Sequence, residues 1–142
     1  MLSFYSLSSP PHILRRRRVK KWLTALAEAE NRRVGEVSII FCSDEELLAL
    51  NRRYLQHDYF TDVLTFDYSD GNRLSGDIFI SCDTVRANAR DYSQPFDGEL
   101  RRVMAHGLLH LCGYRDATVS QQRAMRAKEN HYLAQWNLMN DE

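Results

Sequence analysis

Two histidines four residues apart, His106 and His110, are the side chains of this sequence best placed to do chemistry. On a helix, positions i and i+4 lie one turn apart on one face, so both imidazoles would point the same way. Between Val103 and Gly113 they are the only strongly polar side chains, and a helix apolar nearly all round is a buried one. Burying an imidazole without a partner costs on the order of a few kcal/mol. One metal ion would satisfy both rings. Backbone carbonyls could do the same for an ordinary pair of core histidines, so both readings stand at this point. Gly113 supplies a helix stop through the left-handed conformation it tolerates. Asp116 follows closely enough to fold back as a third ligand. Two imidazoles, one carboxylate and one open position filled by water form the donor set of a catalytic zinc site. In the HExxH pattern of zinc proteases a Glu directly after the first His is the base. That place is held here by Gly107, which disfavours peptide hydrolysis by that route. No nucleophile motif and no Gly-rich phosphate loop is present.

The elements around the pair follow from patterning. Leu100, Val103, Met104, Gly107, Leu108 and Leu111 form a continuous helical stripe, with Asp97 as the expected N-cap. Thr118 and Gln121 have capping-box spacing for a helix to about Asn137. Upstream, Leu2 to Leu7 reads as a short strand and Ile13 to Glu30 as a helix burying Val19, Trp22, Leu23 and Leu26. Val34 to Cys42 alternates as a strand. Ser43 and Glu46 make another capping box before a helix to about Tyr54. The runs Asp62–Phe66 and Gly76–Cys82 are expected to pair as a hairpin across the Asp70-Gly71-Asn72 turn. Asp83 is the expected cap of a short helix to about Tyr92. The sum is a single α+β domain over residues 1–142, a small mixed sheet of about four strands packed with about five helices. The central, buried helix carries the metal site.

Composition bounds the function class. The 142 residues are 44% hydrophobic and 27% charged, as in a soluble globular domain. Lys plus Arg and Asp plus Glu are 19 each, so net charge does not steer the molecule toward nucleic acid. Arg15, Arg16, Arg17, Arg18, Lys20 and Lys21 nevertheless put six cations into seven residues. They form either a solvated helix face or a contact for phosphate backbone or a ribosome surface. No run approaches the roughly 18 apolar residues of a membrane span, and no secretory signal is visible, so a cytoplasmic protein is expected. Cys42, Cys82 and Cys112 make no disulfide framework or metal knuckle and read as reduced, buried thiols. Cys112 is near the histidines, but its side chain should leave the helix in a different direction. His12, His57 and His131 read as surface residues.

The blocks Leu50-Asn51-x-x-Tyr54, Thr61-Asp62-Val63-Leu64-Thr65-Phe66, Gly76-Asp77-Ile78-x-Ile80 and His106-Gly-x-Leu-His110-Leu-x-Gly113-Tyr114 resemble, in that order, the YbeY family of bacterial metal-dependent endoribonucleases and rRNA maturation factors. The resemblance implies a single-strand-specific endoribonuclease acting in 16S rRNA processing. It further implies one divalent ion, most readily Zn2+, on His106, His110 and Asp116, and partners in the ribosomal small subunit and its assembly proteins. Two departures stand out. Asp116 occupies the place where the family usually has a third histidine ligand. Leu55 stands where it usually has an arginine that the resemblance implies assists cleavage, and leucine cannot stabilise phosphoryl charge. Arg115, beside the third ligand, could supply that cation. The competing expectation is a non-enzymatic ribosome-assembly factor with a structural metal. A zinc hydrolase of peptides or small molecules is the third reading.

Overall fold

A computed structural model describes residues 1–55 and 62–139. Nine elements follow in chain order: β1 (Leu2–Ser6), α1 (Arg16–Ala29), β2 (Arg33–Cys42), α2 (Asp44–Leu55), β3 (Val63–Asp67), β4 (Arg73–Ser81), α3 (Cys82–Asp91), α4 (Phe96–Leu111) and α5 (Val119–Leu138). The sheet order is β1-β2-β4-β3. β1, β2 and β4 are parallel, and β3 closes the edge antiparallel to β4, with Leu64 opposite Phe79. The expected mixed α+β sheet and its hairpin are therefore present.

Alternation along β2 and β4 sorts the sheet into two faces. Val37, Ile39, Phe41, Leu74, Ile78 and Ile80 join the main core with Trp22, Leu23 and Leu26 of α1 and the apolar stripe of α4. The other face carries a smaller cluster, Cys42 and Leu64 under Leu47 of α2, with Phe66 and Phe79 at its margin. α5 lies outside α4. Its amphipathic face is narrow: only Met125, Glu129, Tyr132 and Trp136 are buried. Trp22 Nε1 donates to Tyr132 O (2.7 Å) and its ring meets Trp136 edge-on at 5.8 Å, which ties α1 to α5.

Gly107 sets how closely α4 approaches the sheet. A Cβ there would lie 2.6 Å from Ile78 Cγ2. Only a glycine lets the helix sit this close, so the residue that removes the protease base has a packing reason to be there.

Both expected capping boxes form: Ser43 with Glu46 (2.8 and 3.1 Å) and Thr118 with Gln121 (3.1 Å each way). Two expected caps do not. α3 begins one residue before Asp83 and is capped by Ser81, whose Oγ accepts from Thr84 N. Asp83 instead accepts from Asp44 N at 3.0 Å, bracing α2. The N-cap of α4 is Pro95, without a side-chain bond, and Asp97 lies inside the first turn. There its charge still suits the helix dipole. α1 starts later than expected because Arg15 adopts a left-handed backbone conformation, φ 56°.

Candidate metal centre

α4 presents His106 and His110 on one face, with ring centroids 4.6 Å apart. The helix then stops in a Schellman turn. Gly113, at φ 105°, donates its N–H to His110 O (3.0 Å), and Tyr114 N–H donates to Leu109 O (3.1 Å). A side chain at this φ would be strained, so glycine is what allows the chain to reverse here. The reversal aims Tyr114 O back at His110 Nδ1 (3.0 Å) and carries Asp116 over the ring pair. Asp116 Oδ2 lies 3.2 Å from His106 Nε2 and 3.4 Å from His110 Nε2. The two Nε2 atoms are themselves 3.0 Å apart.

The partners of the far ring nitrogens fix the tautomers. A carbonyl can only accept, so His110 carries its proton on Nδ1. His106 Nδ1 faces Glu129 Oε2 at 2.7 Å and likewise donates. With both rings neutral, each turns a lone pair on Nε2 toward the other and toward a carboxylate oxygen. Three electron-rich atoms facing one another in this way suit a cation among them. Ligands at about 2.0–2.1 Å in a tetrahedral shell sit roughly 3.3–3.4 Å apart, and the observed triangle is close to that size. Among the described residues, His106, His110 and Asp116 form a group able to hold a metal ion.

Glu129 is the residue that sequence reasoning missed. It is buried, yet it receives Arg102 Nη1 at 2.9 Å as well as His106. Burial pushes its pKa up, but the hydrogen bonds from His106 and Arg102 outweigh this and hold it below the usual carboxylate value. Conversely, burial lowers His106, and Glu129, Asp62 and Asp116 more than offset it, so its pKa is raised. His110 is lowered, by burial and then by the neighbouring imidazole. A carboxylate behind a metal-binding histidine orients the ring and raises its basicity. The signal was the stripe Met125, Glu129, Tyr132, Trp136: a carboxylate on the one buried face of α5 needs a buried partner.

The other candidates fall elsewhere. Arg18 is turned inward: its guanidinium lies 4.0 Å over the Trp136 ring and donates to Trp136 O and to Met139 O (3.2 Å). Its guanidinium is thus engaged within the fold. Arg16 and Lys20 flank the Phe4 ring at 5.3 and 5.2 Å, and Arg15, Arg17 and Lys21 are exposed. Arg18 meets α5 two turns beyond Glu129, so the basic run is separate from the histidines. Arg115 is exposed next to Asp116, and Leu55 is exposed at the end of α2. His12 and His131 are at the surface, whereas His57 and Thr61 lie outside the described residues. All three cysteines are free and buried. Burial pushes Cys112 up to about 11, and it is not in the ligand group.

A cleft of about 380 Å³ opens beside His106 between α3, α4 and α5. The sequence profile of the family described as Endoribonuclease YbeY matches residues 12–137. The chain belongs to this family. It is 47% identical over 134 residues to "Endoribonuclease YbeY" of Phocaeicola vulgatus, covering 94% of this chain and 97% of the relative. It is 49% identical over 121 residues to the protein of that name from Bacteroides fragilis, covering 85% and 87%. A solution structure of a Thermotoga maritima protein superposes with TM-score 0.67 at 27% identity, over 96% of this chain and 89% of the other.

Proposed function

We propose that this chain is a metal-dependent endoribonuclease that cuts single-stranded RNA in 16S rRNA maturation, with zinc on His106, His110 and Asp116. The observation that carries this reading is the convergence of three acceptor atoms within hydrogen-bond range, with both imidazole tautomers already fixed. Two nitrogens and one carboxylate oxygen suit zinc. The ion supplies Lewis acidity toward a phosphodiester and lowers the pKa of water. The chain supplies the rest. Glu129 and Tyr114 O hold the rings in one orientation, and Asp116 completes the donor set. Arg115, exposed beside Asp116, is the cation this reading assigns to phosphate charge, a role that Leu55 cannot fill. Gly107 offers no base, so peptide hydrolysis is not favoured. The relatives' shared name favours an enzyme over a non-catalytic assembly factor.

The exposed cations Arg15, Arg16, Arg17 and Lys21, with the half-buried Lys20, form a second, remote contact for rRNA on the small subunit. No described helix is long and apolar enough to cross a membrane, in keeping with work on cytoplasmic ribosomes. The test is His110→Ala, assayed for bound metal by plasma mass spectrometry and for cleavage of single-stranded rRNA fragments. Loss of both is expected. Unchanged metal content would sink the ligand set, and cleavage by chelator-stripped wild type would sink the mechanism.

A further inference from the structure

The cleft beside His106 extends beyond the ligand triangle. Its floor is the α4 face bearing Glu99, Arg102 and His106; α3 contributes Asn88 and leads into Tyr92, and α5 contributes Arg126. Its volume of about 380 Å³ falls in the range of small-molecule sites, about 300–1,000 Å³. Arg102 is committed to structure, with Nη1 on Glu129 (2.9 Å) and Nη2 on Asn130 (2.8 Å). Arg126 is not: it is exposed and makes no hydrogen bond or ion pair among the described residues. Its charge is nevertheless felt by Glu99, which is buried in the cleft. Arg126 and Glu129 are three residues apart and share one face of α5. The free guanidinium therefore stands one turn from the carboxylate that orients His106.

Tyr92 stands across the cleft. It is 64% exposed, but its backbone is anchored: N–H donates to Asn88 O (2.9 Å) and its carbonyl accepts from Gln94 Nε2 (3.4 Å). A held backbone with an open ring is a stacking platform in search of a planar partner. The cleft thus offers an uncommitted cation, an unstacked aromatic face and a buried carboxyl acceptor, all beside the metal ligands. Those are the complements of a phosphate, a base face and the amino edge of a base.

We propose that this part of the cleft seats the nucleotide adjoining the scissile phosphate. Arg126 takes its phosphate, Tyr92 stacks on its base, and Glu99 accepts from donors at the base edge. The inference rests on the ribonuclease reading above. It is tested by fluorescence anisotropy of a short labelled single-stranded RNA on chelator-treated protein, so that binding is read without cleavage. Arg126→Ala should weaken binding about fivefold and flatten the slope of log K against log salt by about 0.7. Tyr92→Ala should weaken it about tenfold, the scale of one lost base stack, and Tyr92→Phe should bind as wild type. Arg123→Ala, on the same helix but outside the cleft, should change affinity less than twofold. Wild-type affinity in both Arg126→Ala and Tyr92→Ala would overturn the subsite, as would an equal loss in Arg123→Ala. Metal-loaded wild type assayed on the same RNA separates the two claims. Failure to cleave overturns the ribonuclease reading, and cleavage with unaffected variants overturns the subsite alone.

Discussion

At the C-cap of α1, Glu30 accepts from Tyr114 Oη (2.7 Å), Lys128 Nζ (3.0 Å) and Tyr132 Oη. At the end of α4, with the rings neutral and their Nδ1 protons given to Glu129 and Tyr114 O, His106, His110 and Asp116 turn acceptor atoms toward one another. The first ties the turn after α4 to α1 and α5, the second spans α4 and that turn and reaches α5 through Glu129, and both are partly buried. In the first, each carboxylate oxygen meets a donor from the chain, so the cluster is complete and its work is structural. In the second, acceptors outnumber donors at the centre while every outward-facing ring nitrogen is satisfied. Incompleteness of this kind, framed by complete supports, is what separates a binding site from a polar brace.

The contrast is open to direct attack. A divalent ion at about a thousand times its Kd should stabilise the wild type by about 4 kcal/mol, read as a rise in Tm. His110→Ala should show no such rise. A wild type unmoved by metal would make the second cluster no different from the first. Glu30→Ala should cost about 2–3 kcal/mol in urea unfolding, because hydrogen bonds to a charged group are lost and two tyrosine hydroxyls lose their acceptor. Its metal affinity should stay within a fewfold of wild type.

Acid adds a sign to this. Burial raises the Glu30 pKa, but the bonds from Tyr132, Tyr114 and Lys128 outweigh it and leave it depressed. Its contribution is then whole above the ordinary carboxylate value of about 4.3 and fades as pH falls through the lower native value. Glu30→Gln should lack that part of the acid slope, and an unchanged acid limb would contradict the brace. Smallest in free energy is Glu129→Gln, which keeps the shape but removes the charge behind His106. Metal affinity should fall about 10–100-fold by isothermal titration, roughly 1.4–2.7 kcal/mol.

What the sequence discloses and what it hides divide along the same line. His106, His110, Gly113 and Asp116 fall within eleven residues, and helix geometry plus one turn brings them together, so the spacing alone was informative. The strands, the hairpin and two capping boxes were legible for the same local reason. Glu129 and Glu30 act across long separations, and nothing near them in the chain names their partners. Arg18 shows the converse failure. Within a run of cations it looks like surface, and only the tertiary approach of Trp136 turns it inward. Ser81 and Pro95 displaced the expected caps because the helix starts were set by the strand end before α3 and by the proline before α4, not by the nearest acid.

Tyr114 carries three of these connections on different atoms. Its N–H ends α4, its carbonyl orients His110, and its hydroxyl reaches Glu30. Two of the three belong to the main chain, which no substitution at position 114 other than proline removes. A mutational scan would therefore register only the strut to α1 and score Tyr114 as moderately tolerant. The orienting carbonyl would show up one residue earlier, as intolerance at Gly113, where a side chain disturbs the backbone that aims it. Genetic sensitivity around this centre is thus displaced from the atom that acts to the glycine that steers it.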